Sequence, residues 1–286
     1  MKMPSRRPAR KAKRANPILS SLLWRVYLIA MIGLVIAPLL VALLGSFRST
    51  GDWFSASFDP SLLTLENYES LFRDKHVLTY VKNSAITAGG GLLACILINP
   101  FIAYMIATNW HRRRYKLLYV AISSCMLIPT NMLVFPLVRM YYSIGLMNLG
   151  GVVLYYAVFY IPETVFLLVP LFRTVPQELY EAAALDGCIE WSFYVRVFFP
   201  ITRPYVFVVM TLDVIWMWND FFIPLMILNR DPTTWTLPIF IYNYIGRNTL
   251  EKNLALASSI IAIIPLAVLY LALRSRLLLG IGKGHV

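Results

Sequence analysis

Long uncharged runs alternate with short charged ones along this chain. Residues 26–47, 83–109, 117–138 and 253–273 contain no Asp, Glu, Lys or Arg. Two further apolar runs are interrupted only by acidic residues: 150–172 by Glu163, and 204–229 by Asp213 and Asp220. A bilayer core is crossed by about 20 apolar residues of helix. The pattern therefore predicts six spanning helices, at 23–45, 81–108, 117–138, 152–172, 204–228 and 253–273. No run shows the period-two alternation in segments of about 10 residues that a membrane barrel requires. The expected fold is all-α and polytopic, with a basic tail over 1–22 and a transmembrane domain over 23–286.

The punctuation between the spans predicts further detail. Residues 46–80 form the longest outer segment, and within it LTLENYESLF has the pattern of a short amphipathic helix. Pro129, Asn131 and Pro136 should kink the third span, and broken helices at membrane depth often line a pathway. Gly89-Gly90-Gly91 in the second span suits close helix approach in lipid. It follows no strand, so it is not read as a phosphate cradle. The C-terminal GIGKGHV likewise lacks the strand, helix and Ser/Thr of a phosphate loop.

Composition supports a membrane protein: 59% of residues are hydrophobic and 14% charged, where soluble domains carry about a quarter charged residues. The net charge of +12 would suit nucleic acid, but its placement argues against that. With both termini cytoplasmic, 18 of the 26 Lys and Arg fall on the cytoplasmic side, which is the positive-inside asymmetry. The basic leader then reads as a lipid-facing anchor. The first span is too long for a signal peptide and no small-residue cleavage site follows it, so it is expected to be retained. Three cysteines (95, 125, 188) form no disulfide framework, and His76, His111 and His285 are too scattered for a metal site.

Between the fourth and fifth spans, the loop 174–203 contains PQELYEAAALDGCIEWSFYVRVFFP. Pro176 suits a first helical position, Glu178 the first turn, and Ala182–Ala184 the interior. Gly187 suits the left-handed residue after the helix. A second helix with Trp191, Phe193, Tyr194, Phe198 and Phe199 should follow, stopped by Pro200. The loop is predicted as a helix–turn–helix on the cytoplasmic face. Its alanine-rich surface, low in bulk, suits insertion into a partner's groove.

This loop resembles the EAA loop of ABC importer permeases. Glu181-Ala182-Ala183, Gly187, and then Val197-x-Phe199-Pro200 follow the spacing of that motif, with Val and Phe where the family favours Ile and Leu. EAAALDG is similar to the maltose-type, carbohydrate-uptake branch. Asn83-Ser84, Ala103-Tyr104, Pro176-x-Glu178-Leu179 and Trp218-Asn219-Asp220 add to the likeness, which covers residues 65–286. The resemblance implies that Glu181, Ala182, Ala183 and Gly187 are the coupling positions for a separate ATPase. It also implies a second homologous permease, an ATP-binding cassette ATPase dimer, an extracytoplasmic solute-binding protein, and a bacterial or archaeal cytoplasmic membrane. ATP and Mg would then be held by the ATPase, since this chain carries no GxxxxGK[ST] run.

Ionisable residues inside spans are functional hypotheses by default. Glu163 and Asp213 are expected at similar depth. Asp213, Trp216 or Met217, and Asp220 recur at helical spacing, which predicts a shared face. Tyr160, Glu163, Asp213, Trp216, Asn219 and Asp220 offer the carboxylates, amide and aromatic faces that bind sugar hydroxyls and C–H surfaces. Glu163 and Asp213 depart from the family pattern, disfavour an anionic substrate and leave room for an amino sugar. The same two residues also support an alternative, an ion-coupled secondary transporter working alone, although no internal repeat supports it. No nucleophile–base or metal constellation points to an enzyme.

Overall fold

A computed structural model of the protein describes residues 17–49, 63–73, 76–185, 187–188, 190–228, 230–247 and 252–282. The basic leader over 1–16 and Asp52, Asp59 and Asp74 of the outer segment lie outside the described residues. Among the described residues every extended element is helical; one isolated antiparallel bridge joins Arg48 and Leu63.

The helices run α1 (Pro17–Ser46), α2 (Glu66–Arg73), α3 (Val77–Thr108), α4 (Arg113–Ser124), α5 (Thr130–Ser143), α6 (Leu149–Phe159), α7 (Ile161–Phe172), α8 (Glu178–Leu185), α9 (Glu190–Phe193), α10 (Phe199–Asn219), α11 (Phe222–Leu228), α12 (Leu237–Arg247) and α13 (Lys252–Gly282). Four helical stretches are long and apolar enough to cross a membrane: Trp24–Ser46, Val77–Thr108, Leu149–Phe172 and Glu190–Asn219. A fifth is obtained when Arg113–Leu127 and Thr130–Ser143 are taken as one broken span. In α13, the apolar part Lys252–Val268 is shorter than these.

The core is built on α3, which packs against α6, α7 and α10. Glycine permits the closest of these approaches. A Cβ on Gly90 would meet Val153 Cγ2 at 2.9 Å, and one on Gly91 would meet Tyr156 Cβ at 2.8 Å. Gly89 faces open space, so two of the three glycines serve the packing expected of the triplet. α1 leans on α13 and, from Trp24 onward, exposes most of its large apolar side chains.

The expected short helix in the outer segment is α2. It buries Leu71 against Val77, Leu237, Phe240, Leu254, Ala257 and Ile261, a second apolar cluster beside the main core. Asparagines lace this end together. Asn67 Nδ2 donates to the carbonyls of Ser46 (2.9 Å) and Arg48 (2.7 Å), and Asn253 Nδ2 donates to those of Arg48 (3.0 Å) and Ser49 (2.5 Å). Asn83 Nδ2 reaches the carbonyls of Thr233 (2.8 Å) and Trp235 (2.9 Å), while Ser84 Oγ accepts the Leu237 N–H at 2.9 Å. Asn83-Ser84 thus clamps the segment that starts α12. That helix was not foreseen; its apolar run LPIFIYNYI is too short to register as a span.

Two expectations about proline need correction. The third span does not merely kink: α4, extended by a 3₁₀ turn over Cys125–Leu127, meets α5 at 95°. Pro129, which lacks an N–H, sits at the bend in extended conformation (φ −60°, ψ 125°). Pro200, in contrast, does not stop its helix. Tyr194–Phe198 forms a π turn, with the Phe199 N–H bonded to the Tyr194 carbonyl, and the chain continues directly into α10. The wider turn places Pro200 in the first turn of α10, where a missing N–H costs little. Thr202 Oγ1 then donates to the Phe198 carbonyl at 2.8 Å.

Candidate functional site: an anchored loop and a polar cavity

The loop between α7 and α10 is anchored on one side and open on the other. α8 is eight residues long and starts at Glu178, with Pro176 lying before it rather than inside it. Gly187 adopts φ +72°, and the N–H groups of Gly187 and Cys188 bond the carbonyls of Ala184 (3.1 Å) and Ala183 (3.0 Å). This pair of bonds is a Schellman closure. Nothing lies within 4 Å of a Cβ built on Gly187, so the backbone alone demands glycine there. Gly187→Ala is expected to cost about 1–2 kcal/mol through left-handed strain. The expected readout is fraying of α8 in hydrogen exchange, with the membrane helices unaffected.

Aromatic rings hold the loop to the spans. Phe193, Tyr194 and Phe198 are buried. Phe198 contacts Tyr104 (4.8 Å between centroids) and Phe172 (5.0 Å), and Tyr194 contacts Phe101 (5.1 Å) and Tyr104 (4.9 Å). Tyr180 of α8 packs on Phe193 at 4.5 Å. Burial, and then the neighbouring Tyr104, push the Tyr180 phenol above its ordinary range, so it sits in the cluster as a neutral ring. Arg173 stacks on Trp110 at 4.3 Å, beside a cavity of about 690 Å³ lined by His111, Gln177, Glu178 and Tyr180.

The other face of α8 is open. Glu181 and Ala182 are exposed, and Leu185 is 90% exposed. Ala183 points inward and is buried against the core. Among the four residues implied by the motif, Glu181 and Ala182 face outward, Ala183 supports the base, and Gly187 shapes the end. Leu185 was missed by sequence reasoning. The available signal was its position, three and four residues after Ala182 and Glu181, which places it on their face of the helix.

A second site lies where α5, α6, α10 and α11 meet. A cavity of about 430 Å³ is lined by Thr130, Asn131, Tyr155, Tyr160, Trp216, Asn219 and Asp220, with Phe159, Phe221, Phe222 and Ile223. Four of the six residues singled out in the sequence therefore come together: Tyr160, Trp216, Asn219 and Asp220. α10 ends at Asn219, Asp220 is extended, and its Oδ1 accepts the Phe222 N–H at 3.1 Å. Asn219 Nδ2 donates back to the Ile215 carbonyl at 2.8 Å. The break after Asn219 exposes side-chain and backbone polar groups to the cavity instead of to hydrocarbon. Thr130 and Asn131 enter through the bend at Pro129.

Glu163 and Asp213 do not line this cavity. Asp213 does not share a face with Trp216: Asp213 and Met217 are buried at 0% and 2% exposure, whereas Trp216 is 63% exposed. Around a helix, the residue three along stands about 60° to one side of Asp213 and the residue four along about 40° to the other, and packing resolved the choice in favour of Met217. Asp213 Oδ2 lies 3.3 Å from Thr164 Oγ1, next to Glu163 in the first turn of α7.

A bundle of broken apolar helices, with an anchored loop at one end and a polar cavity between helices, defines the transmembrane component of a transporter. Residues 100–278 match the family described as "Binding-protein-dependent transport system inner membrane component", and the chain belongs to it. The "Multiple sugar-binding transport system permease protein MsmG" of Streptococcus mutans is 34% identical over 267 residues, covering 92% of this chain and 96% of that protein. The "Diacetylchitobiose uptake system permease protein NgcG" of Streptomyces coelicolor is 29% identical, covering 88% and 84%. A bacterial ABC transporter structure, described as involved in import of the acidic polysaccharide alginate, superposes with a TM-score of 0.79 at 18% identity, covering 93% of this chain and 99% of that one. The protein is thus a permease subunit of a binding-protein-dependent transport system, a multi-pass membrane component and not an enzyme. This membership favours partner-driven transport over the ion-coupled alternative.

Proposed function

We infer that this chain is one permease of an ATP-driven importer for a neutral sugar or oligosaccharide. It would pair with a second homologous permease, an ABC ATPase dimer and an extracytoplasmic solute-binding protein in a bacterial or archaeal cytoplasmic membrane. ATP and Mg would be bound by the ATPases. Both termini would be cytoplasmic, with α1, α3, the α4–α5 pair, α6–α7, the stretch through α10 and α13 as six spans. The observation that carries this reading is the polarity of the α8 loop: its base is locked into the core by rings while Glu181, Ala182 and Leu185 face outward.

Glu181, Ala182, Ala183 and Gly187 would be the coupling positions, with Leu185 as the apolar contact. A push on α8 would pass through Tyr180, Phe193 and Phe198 to α3, α7 and α10, a rigid route for switching access between the two sides. Trp216, Tyr160, Asn219 and Asp220 would form the substrate-facing wall, with Glu163 and Asp213 behind it. The sugar class is supported by the names of the two relatives and by the aromatic and amide lining. Among the described residues, the cavity lining has a carboxylate and no basic side chain, which favours neutral over acidic sugars.

The test is reconstitution with the ATPase, the second permease and the binding protein in vesicles loaded with ATP regeneration, using labelled neutral oligosaccharides. Uptake is expected to require ATP. Trp216→Ala should weaken the apparent substrate affinity by up to about tenfold, from loss of one aromatic stack, with little change in basal ATPase. Uptake that persists without the ATPase would remove this reading.

A further inference from the structure

The buried contact set around Asp213 is short of one hydrogen atom. Asp213 and Thr164 are both 0% exposed, as is Asn99 on α3. The Thr164 hydroxyl has a single hydrogen, and its shortest contact, 2.7 Å, is to the Tyr160 carbonyl, which can only accept. Asn99 Nδ2 donates to Thr164 Oγ1 at 3.2 Å. With its hydrogen committed and one lone pair filled, Thr164 Oγ1 has only a lone pair left for Asp213 Oδ2 at 3.3 Å. Two facing lone pairs repel, unless the carboxyl supplies the hydrogen.

The surroundings agree. Among the described residues, the titratable groups that reach Asp213 electrostatically are Glu163 on α7, Tyr160 just before it and Cys95 on α3. None of these is a cation. Asp213 Oδ1 and Asn99 Oδ1 are both buried without a hydrogen-bond partner. An ionised Asp213 would add a net charge to two unmet acceptors among fully buried side chains, a far larger cost than a neutral group incurs.

We propose that Asp213 carries a proton and donates it to the Thr164 hydroxyl, so that a neutral carboxyl pins α10 to α7 and, through Asn99, to α3. Asp213 is then a positioning residue: it holds the wall behind Tyr160 and Trp216 and does not contact the substrate. Asn can replace it, because an amide Nδ2 donates from nearly the same place. A side chain that only fills the space cannot.

Infrared difference spectroscopy of the purified chain tests this without reference to what is carried. The wild type minus Asp213→Asn is expected to show a protonated-carboxyl C=O band that shifts in D₂O. In Thr164→Val that band should move to higher frequency, since the hydrogen bond is gone while the carboxyl stays protonated. Thermal melting should be unchanged in Asp213→Asn and lowered in Asp213→Val. In the reconstituted transporter, Asp213→Asn should transport normally, and Asp213→Val should fall by about fivefold, the scale of one interhelical hydrogen bond of about 1 kcal/mol. A carboxylate band in place of the C=O band overturns the proposal. So does a loss in Asp213→Asn as large as that in Asp213→Val, which would mean that the charge is needed. Failure of the transport reading alone leaves the spectra to decide.

Discussion

Leu185→Asp is expected to abolish ATP-driven uptake, to about a hundredth of wild type or less, in a protein that still folds and inserts. Leu185 is 90% exposed and contributes almost nothing to the chain's own packing. An isolated leucine at the end of an eight-residue helix, beside Ala182 and Glu181, makes sense as a group buried by a partner. Full burial of a leucine is worth about 1.5–3 kcal/mol, and forcing a carboxylate into the same contact adds its desolvation cost. Together these exceed about 3 kcal/mol, which corresponds to roughly two orders of magnitude in affinity. Leu185→Ala, which loses only the contact, should fall by about tenfold. The measurement is copurification of the ATPase together with vesicle uptake. Wild-type values for both in Leu185→Asp would show that α8 does not dock through this face.

Gly91→Val is expected to fail at an earlier stage, in folding. Its added Cβ would stand 2.8 Å from Tyr156 Cβ, 2.9 Å from Tyr156 Cδ2 and 3.1 Å from Met217 Sδ. Tyr156 and Met217 are 1% and 2% exposed, and Tyr156 Oη donates to the Met217 carbonyl at 3.3 Å. The contact therefore joins three helices, and no flexible chain end can move aside. Overpacking of this kind costs about 1–3 kcal/mol or more in well-packed cores. It would also part α3 from α6 along their length. The expected result is a large drop in folded yield and in the thermal midpoint. Gly89→Val, where nothing lies within 4 Å of the new Cβ, should behave as wild type. Equal behaviour of the two variants would mean that the triplet does not set the α3–α6 approach.

Much of this was legible in the chain because lipid leaves few options. Every backbone polar group in a span must be bonded internally, so long uncharged runs read as helices without tertiary information. The Gly187 turn was legible for a similar reason: a residue at φ +72° disfavours every side chain, and the position after an alanine-rich helix is where that conformation occurs. The motif around Glu181 led to the family that residues 100–278 match.

Other features depended on partners far away in sequence. Met217 and Trp216 are both plausible neighbours of Asp213 by helical spacing, and only packing against Gly91 and Tyr156 decided which one is buried. Pro200 looked like a stop because proline lacks an N–H; the π turn before it removed the conflict. Thr130 and Asn131 join Tyr160 and Trp216 only because two helices meet at 95° at Pro129.

By itself, the sequence determined the class, the order of the apolar helices, the position of the loop and its family, because hydrophobic transfer and backbone hydrogen bonding act locally and sum along each segment. The tertiary structure decided which side chains face a cavity, a partner or another helix. Those outcomes turn on angles between segments, and on where single hydrogen bonds can close across them, as between Asn99, Thr164 and Asp213.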